Sequence, residues 1–293
     1  MGPRHEPVLR KEVLEWLAVR PGGVYLDGTV GLGGHSRAIL EASSPGGFLY
    51  GFEWDEASWQ EAEARLRQEF PGRFRLLRAN FAEAPELLLS EGVKVDGALL
   101  DLGLSSFLLE ASGRGFSFLR DEPLDMRMDT RARFTARDLV NRLSFRELVE
   151  LLRAYGEEPR AERIARAILE ARKEKPVETS GELARIVAQA VRPRKRGEHP
   201  ATLTFQALRM AVNRELENLK RFLARAPEIL KPGGRLVVIS FHSLEDRLVK
   251  QAFRGDPRLR VLTKKVVRPT AEEVRRNPRA RSARLRAAER CNP

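Results

Sequence analysis

Val24-Tyr-Leu-Asp-Gly-Thr-Val-Gly-Leu-Gly-Gly-His35 reads as a short apolar strand that runs through a glycine-rich turn into the start of a helix. An amphipathic helical pattern precedes it from about Val8 to Val19, and a second helix is expected from about His35 to Ala42. Further along come strand FLYGFE (Phe48 to Glu53), a helix after Asp55, strand FRLLR (Phe74 to Arg78), another helix, and strand VDGALLD (Val95 to Asp101). Short apolar strands alternating with helices predict an α/β fold with a parallel sheet covered on both faces. The next comparable strand, RLVVIS, starts at Arg235 behind the turn Lys231-Pro-Gly-Gly234. Between it and Asp101 lie 133 residues, whereas a crossover needs only about a dozen. An insertion is required.

The inserted stretch reads as helical. Ser144-x-x-Glu147 and Thr179-x-x-Glu182 match the capping box, and each opens an apolar-periodic run. A long helical pattern from about Thr202 to Leu230 leads back to the sheet, and a helix capped at Ser243 should follow RLVVIS. A closing hairpin is expected from VLTKKVV (Val261 to Val267) and SARLRAAE (Ser282 to Glu289). The expected organisation is a sheet domain in two parts, 1–105 and 205–293, interrupted by a helical substrate-recognition domain at 106–204.

The 293 residues suit about two domains. With 42% hydrophobic and 32% charged residues the composition is globular. Cys291 is the only cysteine, which excludes an intrachain disulfide, and His5, His35, His199 and His242 lie too far apart to suggest a zinc site, so no metal is expected. No apolar run approaches a membrane span, and the N-terminus has no signal-peptide core. A cytoplasmic protein is expected. The net charge is +12, carried by 43 Arg and 10 Lys. From Gln251 onward there are 13 Lys/Arg against 4 Asp/Glu, and a second basic cluster lies at Arg192-Pro-Arg-Lys-Arg196. Arginine forks suit phosphates and base edges, while a solvated tail in an arginine-rich protein is the competing reading.

In open α/β sheets ligands bind at the carboxyl ends of the strands, where Asp27-Gly-Thr-Val-Gly31-Leu-Gly33-Gly34-His35 lies. The dinucleotide fingerprint is broken, because Ser36 occupies its third glycine position. A carboxylate followed by spaced glycines suits a ligand with an amino-acid end, such as S-adenosylmethionine. Glu53, ending the second strand, is placed to accept from both ribose hydroxyls. Phe81 offers a face to adenine or else belongs to the core, and Asp27 either orients the ligand or holds the loop.

Across the crevice, Asp101-Leu-Gly-Leu-Ser-Ser106 replaces the D/N-P-P-Y/F segment of many amine methyltransferases. A cytosine amine is a poor nucleophile, so its NH2 must be gripped by acceptors that turn the lone pair toward the methyl group. Asp101 and Ser105 are candidates, and Asp101 serves equally well as a cofactor ligand. His242, after RLVVIS, also ends a strand. Attack through carbon 5 of cytosine would need a thiolate, and Cys291 lies outside every strand-end segment.

These motifs together closely resemble the small-subunit rRNA cytosine-N4 methyltransferase family (RsmH, or MraW). The resemblance runs through DGTVGLGGHSRAIL from Asp27, LLDLGLSS from Leu99, RGFSFLRDEPLDMRMD from Arg114 and YGEE from Tyr155. It continues in HPATLTFQALRMAVNRELE from His199, PGGRLVVISFHSLEDR from Pro232 and NPRARSARLRAAER from Asn277. It implies a Rossmann-like S-adenosyl-L-methionine-dependent methyltransferase sheet with an inserted all-helical domain. It further implies methylation of the N4 amine of a cytidine in the decoding centre of 16S rRNA, with the assembled small subunit favoured as partner. Carried over by position, Gly33, Gly34, His35, Glu53, Phe81 and Asp101 would hold the cofactor. The family commonly has Pro-Gln where this chain has Phe107-Leu108, so Leu108 keeps only an apolar or backbone contact. Glu53 replaces the more frequent Asp.

Two features stay open on the residues alone. RGFSFLRDEPLDMRMD interleaves Arg114, Arg120 and Arg127 with Phe116, Phe118, Met126 and Met128, which suits either a nucleotide cradle or a buried hinge. The other readings of the whole chain are a methyltransferase for a small molecule or protein, and a non-catalytic ribosome assembly factor.

Overall fold

The computed structural model describes residues 7–193 and 199–292. The chain begins with α1 (Arg10–Leu17), β1 (Val24–Asp27), α2 (Gly34–Ala42), β2 (Phe48–Phe52), α3 (Glu56–Glu69), β3 (Phe74–Leu77), α4 (Ala84–Ser90) and β4 (Val95–Asp101). Helices α5 (Ser106–Glu110), α6 (Ala136–Arg142), α7 (Phe145–Gly156), α8 (Ala161–Glu174), α9 (Ser180–Ala190) and α10 (Thr202–Asn213) follow. The chain ends with α11 (Glu215–Ile229), β5 (Leu230–Ser240), α12 (Ser243–Gly255), β6 (Leu259–Val261), α13 (Ala271–Arg276) and β7 (Arg284–Arg290). Two compact units result, one from Met1–Gly103 with Leu216–Pro293 and one from Leu104–Glu215.

In the first unit seven strands form one sheet in the order β3-β2-β1-β4-β5-β7-β6, parallel except for β7, which runs antiparallel to both neighbours. The expected α/β class is what forms. Successive residues face opposite sides of a strand, and each strand feeds two cores. Tyr25, Leu99 and Val237 join Val13 and Leu17 in one, while Leu26, Leu100 and Val238 join Phe222 and Ile229 in the other. Such strands need apolar residues on both faces, which is why they read as continuous runs.

The second unit is helical. Leu148 and Leu152 of α7, Ile164 and Ile168 of α8, Leu183 and Val187 of α9, and Phe205 and Leu208 of α10 are buried. At Gly156 a Cβ would lie 2.8 Å from the Leu203 carbonyl oxygen, so α7 and α10 meet through glycine. Both expected capping boxes form, and Thr135 with Asp138 makes a third. Phe116, Met126 and Met128 are buried, and Arg114 donates to the carbonyls of Arg127 and Met128, so this part of the segment builds structure. Phe118 stacks on His199 at 4.3 Å and meets Phe205 edge-on at 5.3 Å. Arg120 donates to the Glu110 carbonyl.

Several expectations are corrected. The single helix from Thr202 to Leu230 is two helices, broken at Arg214 (φ 51°), a left-handed residue that ends α10. Helix α10 therefore groups with the helical unit, which runs to Glu215 rather than 204. Strand β5 starts at Leu230: Val95 pairs Leu230 and Gly97 pairs Arg235, so Lys231–Gly234 bulges out of the ladder. Helix α12 is capped by His242, whose Nδ1 faces the Glu245 N–H, and not by Ser243. In the closing hairpin β6 stops at Val261, α13 intervenes, and Val267 keeps one bridge to Leu285. The cluster at Arg192–Arg196 lies outside the described residues from position 194 to 196, as does His5. Among the described residues no helix is long and apolar enough to cross a membrane.

Candidate active site

Parallel register brings the strand ends level, since Asp27 pairs with Gly51 and Leu99, and Asp101 with Ile239. Beyond β1 the backbone must turn through a gap that a Cβ at Gly28 would close, 2.4 Å from Leu100 Cδ2. The turn is then tied down amide by amide. Gly28 donates to the Leu99 carbonyl (2.9 Å), Val30 to Phe52 (3.1 Å) and Gly33 to Val30 (2.8 Å). Gly33, at φ 86°, caps α2 in the left-handed region that glycine alone adopts freely.

Three carboxylates meet this loop. Asp27 is fully buried; its Oδ1 accepts from Thr29 N (3.1 Å) and its Oδ2 from Ser36 Oγ (2.7 Å). Glu53 is also buried, accepting from Gly31 N (2.8 Å) and Asp55 N (2.9 Å). Asp101 donates its own N–H to Thr29 Oγ1 at 2.6 Å, and its Oδ2 lies 3.5 Å from His35 Nε2. Burial raises the Asp27 carboxyl above its ordinary range, against the Ser36 hydrogen bond. It also raises Glu53, to about 7, with no cation to offset the desolvation.

Asp101 Oδ1 and both ring nitrogens of His35 are buried without a hydrogen-bond partner. Such groups are costly unless a ligand completes them. Each Glu53 oxygen carries one amide hydrogen bond and keeps an acceptor position for a second donor. Ser36, the residue that breaks the dinucleotide fingerprint, is the hydroxyl that fixes Asp27. Thr29 fixes Asp101. Sequence reasoning passed over Thr29 and Gly31 as contacts; the one available signal was the polar Ser36 where a glycine would otherwise stand.

The remaining candidates separate by position. Phe81 opens a single 3₁₀ turn (Phe81–Glu83) behind the Asn80 cap and meets Phe222 edge-on at 5.7 Å, so it belongs at least partly to the core. At a Gly34 Cβ the nearest atoms would be those of Pro7, at 3.3 Å. His242 lies two residues past β5 with Nε2 2.9 Å from Glu245 Oε1, although the pair is not aligned as a hydrogen bond. In the helical unit Ser105 caps α5 by accepting from Leu108 N at 3.1 Å. The Leu108 amide is therefore occupied. Cys291 is exposed.

Residues 3–291 match the model of the MraW methylase family. The chain belongs to this family. It is 52% identical to the ribosomal RNA small subunit methyltransferase H of Thermomicrobium roseum, covering 98% of this chain and 93% of that one. The protein of the same name from Syntrophus aciditrophicus is 50% identical, over 98% and 97% of the two chains. That from Thermotoga neapolitana is 52% identical, over 97% and 95%. The cofactor of this MraW methylase is S-adenosyl-L-methionine. The loop fits it: a glycine-lined approach, a buried acceptor pair at Glu53 and unpartnered polar atoms on His35 and Asp101.

Proposed function

We propose that the protein methylates the exocyclic N4 amine of a cytidine in the decoding centre of 16S rRNA, acting in the cytoplasm on the assembled small subunit. Asp101 Oδ1, buried at the end of β4 with no partner, carries this reading. S-adenosylmethionine supplies an electrophilic methyl group. Gly33, Gly34 and His35 would border it, Glu53 would accept from the ribose hydroxyls, and Phe81 would offer an apolar contact. Asp101 would accept a hydrogen bond from the amine, turning its lone pair toward the methyl carbon and drawing off positive charge as the N–C bond forms. The same carboxylate is placed to receive the departing proton, and His35 Nε2, at 3.5 Å, stands behind it to hold its orientation. Ser105 and His242 have other work, as caps of α5 and α12, so Asp101 is the stronger assignment for the amine.

No thiolate is needed, since the nucleophile is the nitrogen itself. The test is to incubate the protein with methyl-labelled S-adenosylmethionine and either small subunits or naked 16S rRNA, then digest the RNA to nucleosides for mass spectrometry. N4-methylated cytidine in the subunit sample is the expected product. Label in carbon-5-methylcytidine, or only in protein or small molecules, would overturn the assignment.

A further inference from the structure

In the sheet unit a pocket of about 200 Å³ opens among α12, β7 and the chain leaving β6, and it shares no residue with the glycine loop. Four of its lining residues are cations: Lys250, Arg254, Lys264 and Arg286, gathered around Phe253 and Thr263. No carboxylate lines it.

The fold places these charges deliberately close. Lys250 and Arg254 are one turn apart on α12 and share a face, while Phe253 (1% exposed) anchors that turn in the core. Past β6, Leu262 N donates to the Ala287 carbonyl at 2.9 Å and Thr263 Oγ1 accepts from Ala287 N at 3.0 Å. Lys264 is thereby set beside β7 and Arg286. Asp246 clamps the Arg286 guanidinium with both oxygens, at 2.7 and 3.2 Å. Elsewhere in this unit exposed cations find carboxylates, as Arg10 does with Glu41, Arg37 with Glu69 and Arg75 with Glu91. Lys250, Arg254 and Lys264 are exposed and, among the described residues, make no hydrogen bond or ion pair. Like charges converging on one concavity repel unless an anion enters.

We propose that this pocket is a phosphate subsite for the backbone of the RNA substrate. The proposal rests on the rRNA reading above and locates a second point of grip on that RNA. A polymer suits the surroundings better than a free phosphate, because the exposed Lys265 and Arg268 continue the positive charge beyond the pocket.

The experiment compares the full-length protein with the triple variant Lys250→Gln, Arg254→Gln, Lys264→Gln and with a control triple, Lys11→Gln, Arg185→Gln, Lys220→Gln, of equal net charge. Binding of a 16S rRNA fragment is followed against salt, with S-adenosylmethionine affinity measured in parallel. Each single-strand phosphate contact contributes about 0.7 to the slope of log K against log salt, so the pocket triple should flatten it by about 1–2 and weaken binding about tenfold or more. The control triple should move the slope much less, and S-adenosylmethionine affinity should stay unchanged in both. Equal effects of the two triples, or no effect of the first, would overturn the subsite. Inorganic phosphate that binds the wild type and not the pocket triple, with RNA binding the same in both, would instead reassign the pocket to a free phosphate. A wild-type protein that binds neither the 16S rRNA fragment nor the assembled small subunit at any salt would strike the functional reading itself.

Discussion

The shifted carboxylates of the helical unit and those beside the glycine loop behave oppositely. In the helical unit Asp138, Glu147, Glu178 and Glu182 are held below the ordinary carboxylate range. The causes are the Thr135 amide, the Ser144 hydroxyl, the Arg137 guanidinium and the Lys175 ammonium respectively. At the strand ends Asp27 and Glu53 are pushed up by burial, held by amides and a hydroxyl with no cation in reach of a hydrogen bond. Acids of the first kind stabilise the fold at neutral pH. Acids of the second kind cost stability when ionised, and a protein retains them where a ligand makes use of them.

The most severe way to break this contrast is at Asp101. Asp101→Ala should lower the methyl-transfer rate by about 10²–10⁴-fold, the range for a lost proton acceptor, measured as single-turnover label transfer to small subunits. The clip from its N–H to Thr29 Oγ1 survives the substitution, so the loop should stay folded. A rate within threefold of wild type would remove Asp101 from the chemistry.

At Glu53 the contrast predicts two effects. Glu53→Gln should weaken S-adenosylmethionine binding about tenfold or more, as expected for lost charged hydrogen bonds at roughly 1.5–3 kcal/mol each. It should also remove the pH dependence of stability that this carboxyl carries, while leaving one of the Gly31 and Asp55 amides without its acceptor. The folded carboxyl titrates near 7 against an ordinary 4.5, so the folded state favours the protonated form. Stability then declines as pH rises from about 4.5 to about 7, by about 3 kcal/mol at 1.36 kcal/mol per unit. Gln abolishes this decline, which denaturant titration across pH 4–9 would reveal. Cofactor affinity in the wild type should strengthen as pH rises toward 7 and level off above it, because the ribose hydroxyls need the ionised acceptor.

Much of the sheet and part of the site were legible beforehand, for a physical reason. Strands buried on both faces leave short apolar runs, and a strand end that meets a ligand ends on a carboxylate and glycines; Asp27, Glu53 and Asp101 stood out accordingly. What escaped depends on partners distant in sequence. Arg286, one of the basic residues past Gln251, is clamped by Asp246, forty positions away. His242 displaces Ser243 as cap because its ring nitrogen reaches the Glu245 amide. The break at Arg214 carries no glycine or proline to announce it. Leu108 was known to lack a side-chain donor, but the capture of its amide by Ser105 is visible only in three dimensions.

In the helical unit the contrast predicts losses of stability without loss of cofactor binding. Asn213 is buried, donating to the carbonyls of Met126 and Arg209 and accepting from Met128 N, each at 2.8 Å. Asn213→Ala strands two carbonyls and an amide and should cost about 2–3 kcal/mol in chemical unfolding. S-adenosylmethionine affinity below the unfolding range should match wild type; a weakened affinity would mean that this asparagine acts beyond its own unit's fold.

The smallest effect separates the two kinds of acid most cleanly. Thr179 caps α9 by accepting from Glu182 N, and Glu182 reaches back to Thr179 N and Glu178 N while pairing with Lys175 at 2.5 Å. Thr179→Ala should cost about 1 kcal/mol. The Glu182 carboxyl is held down to about 2, by the Lys175 hydrogen bond first and the Glu178 amide next, so its contribution is complete above about 4.5 and is lost as pH falls through about 2. Glu53 has the reverse sign, losing stability as pH rises. A scan from pH 2 to 9 should therefore show Thr179→Ala lowering stability by a similar amount throughout, Glu182→Gln lowering it above about 4.5 by an amount that fades as pH falls toward 2, and Glu53→Gln changing the slope only between about 4.5 and 7. If Glu182→Gln instead changed the slope between about 4.5 and 7, or left stability at neutral pH untouched, the low range of this carboxyl would be wrong, and the two classes of carboxylate would collapse into one.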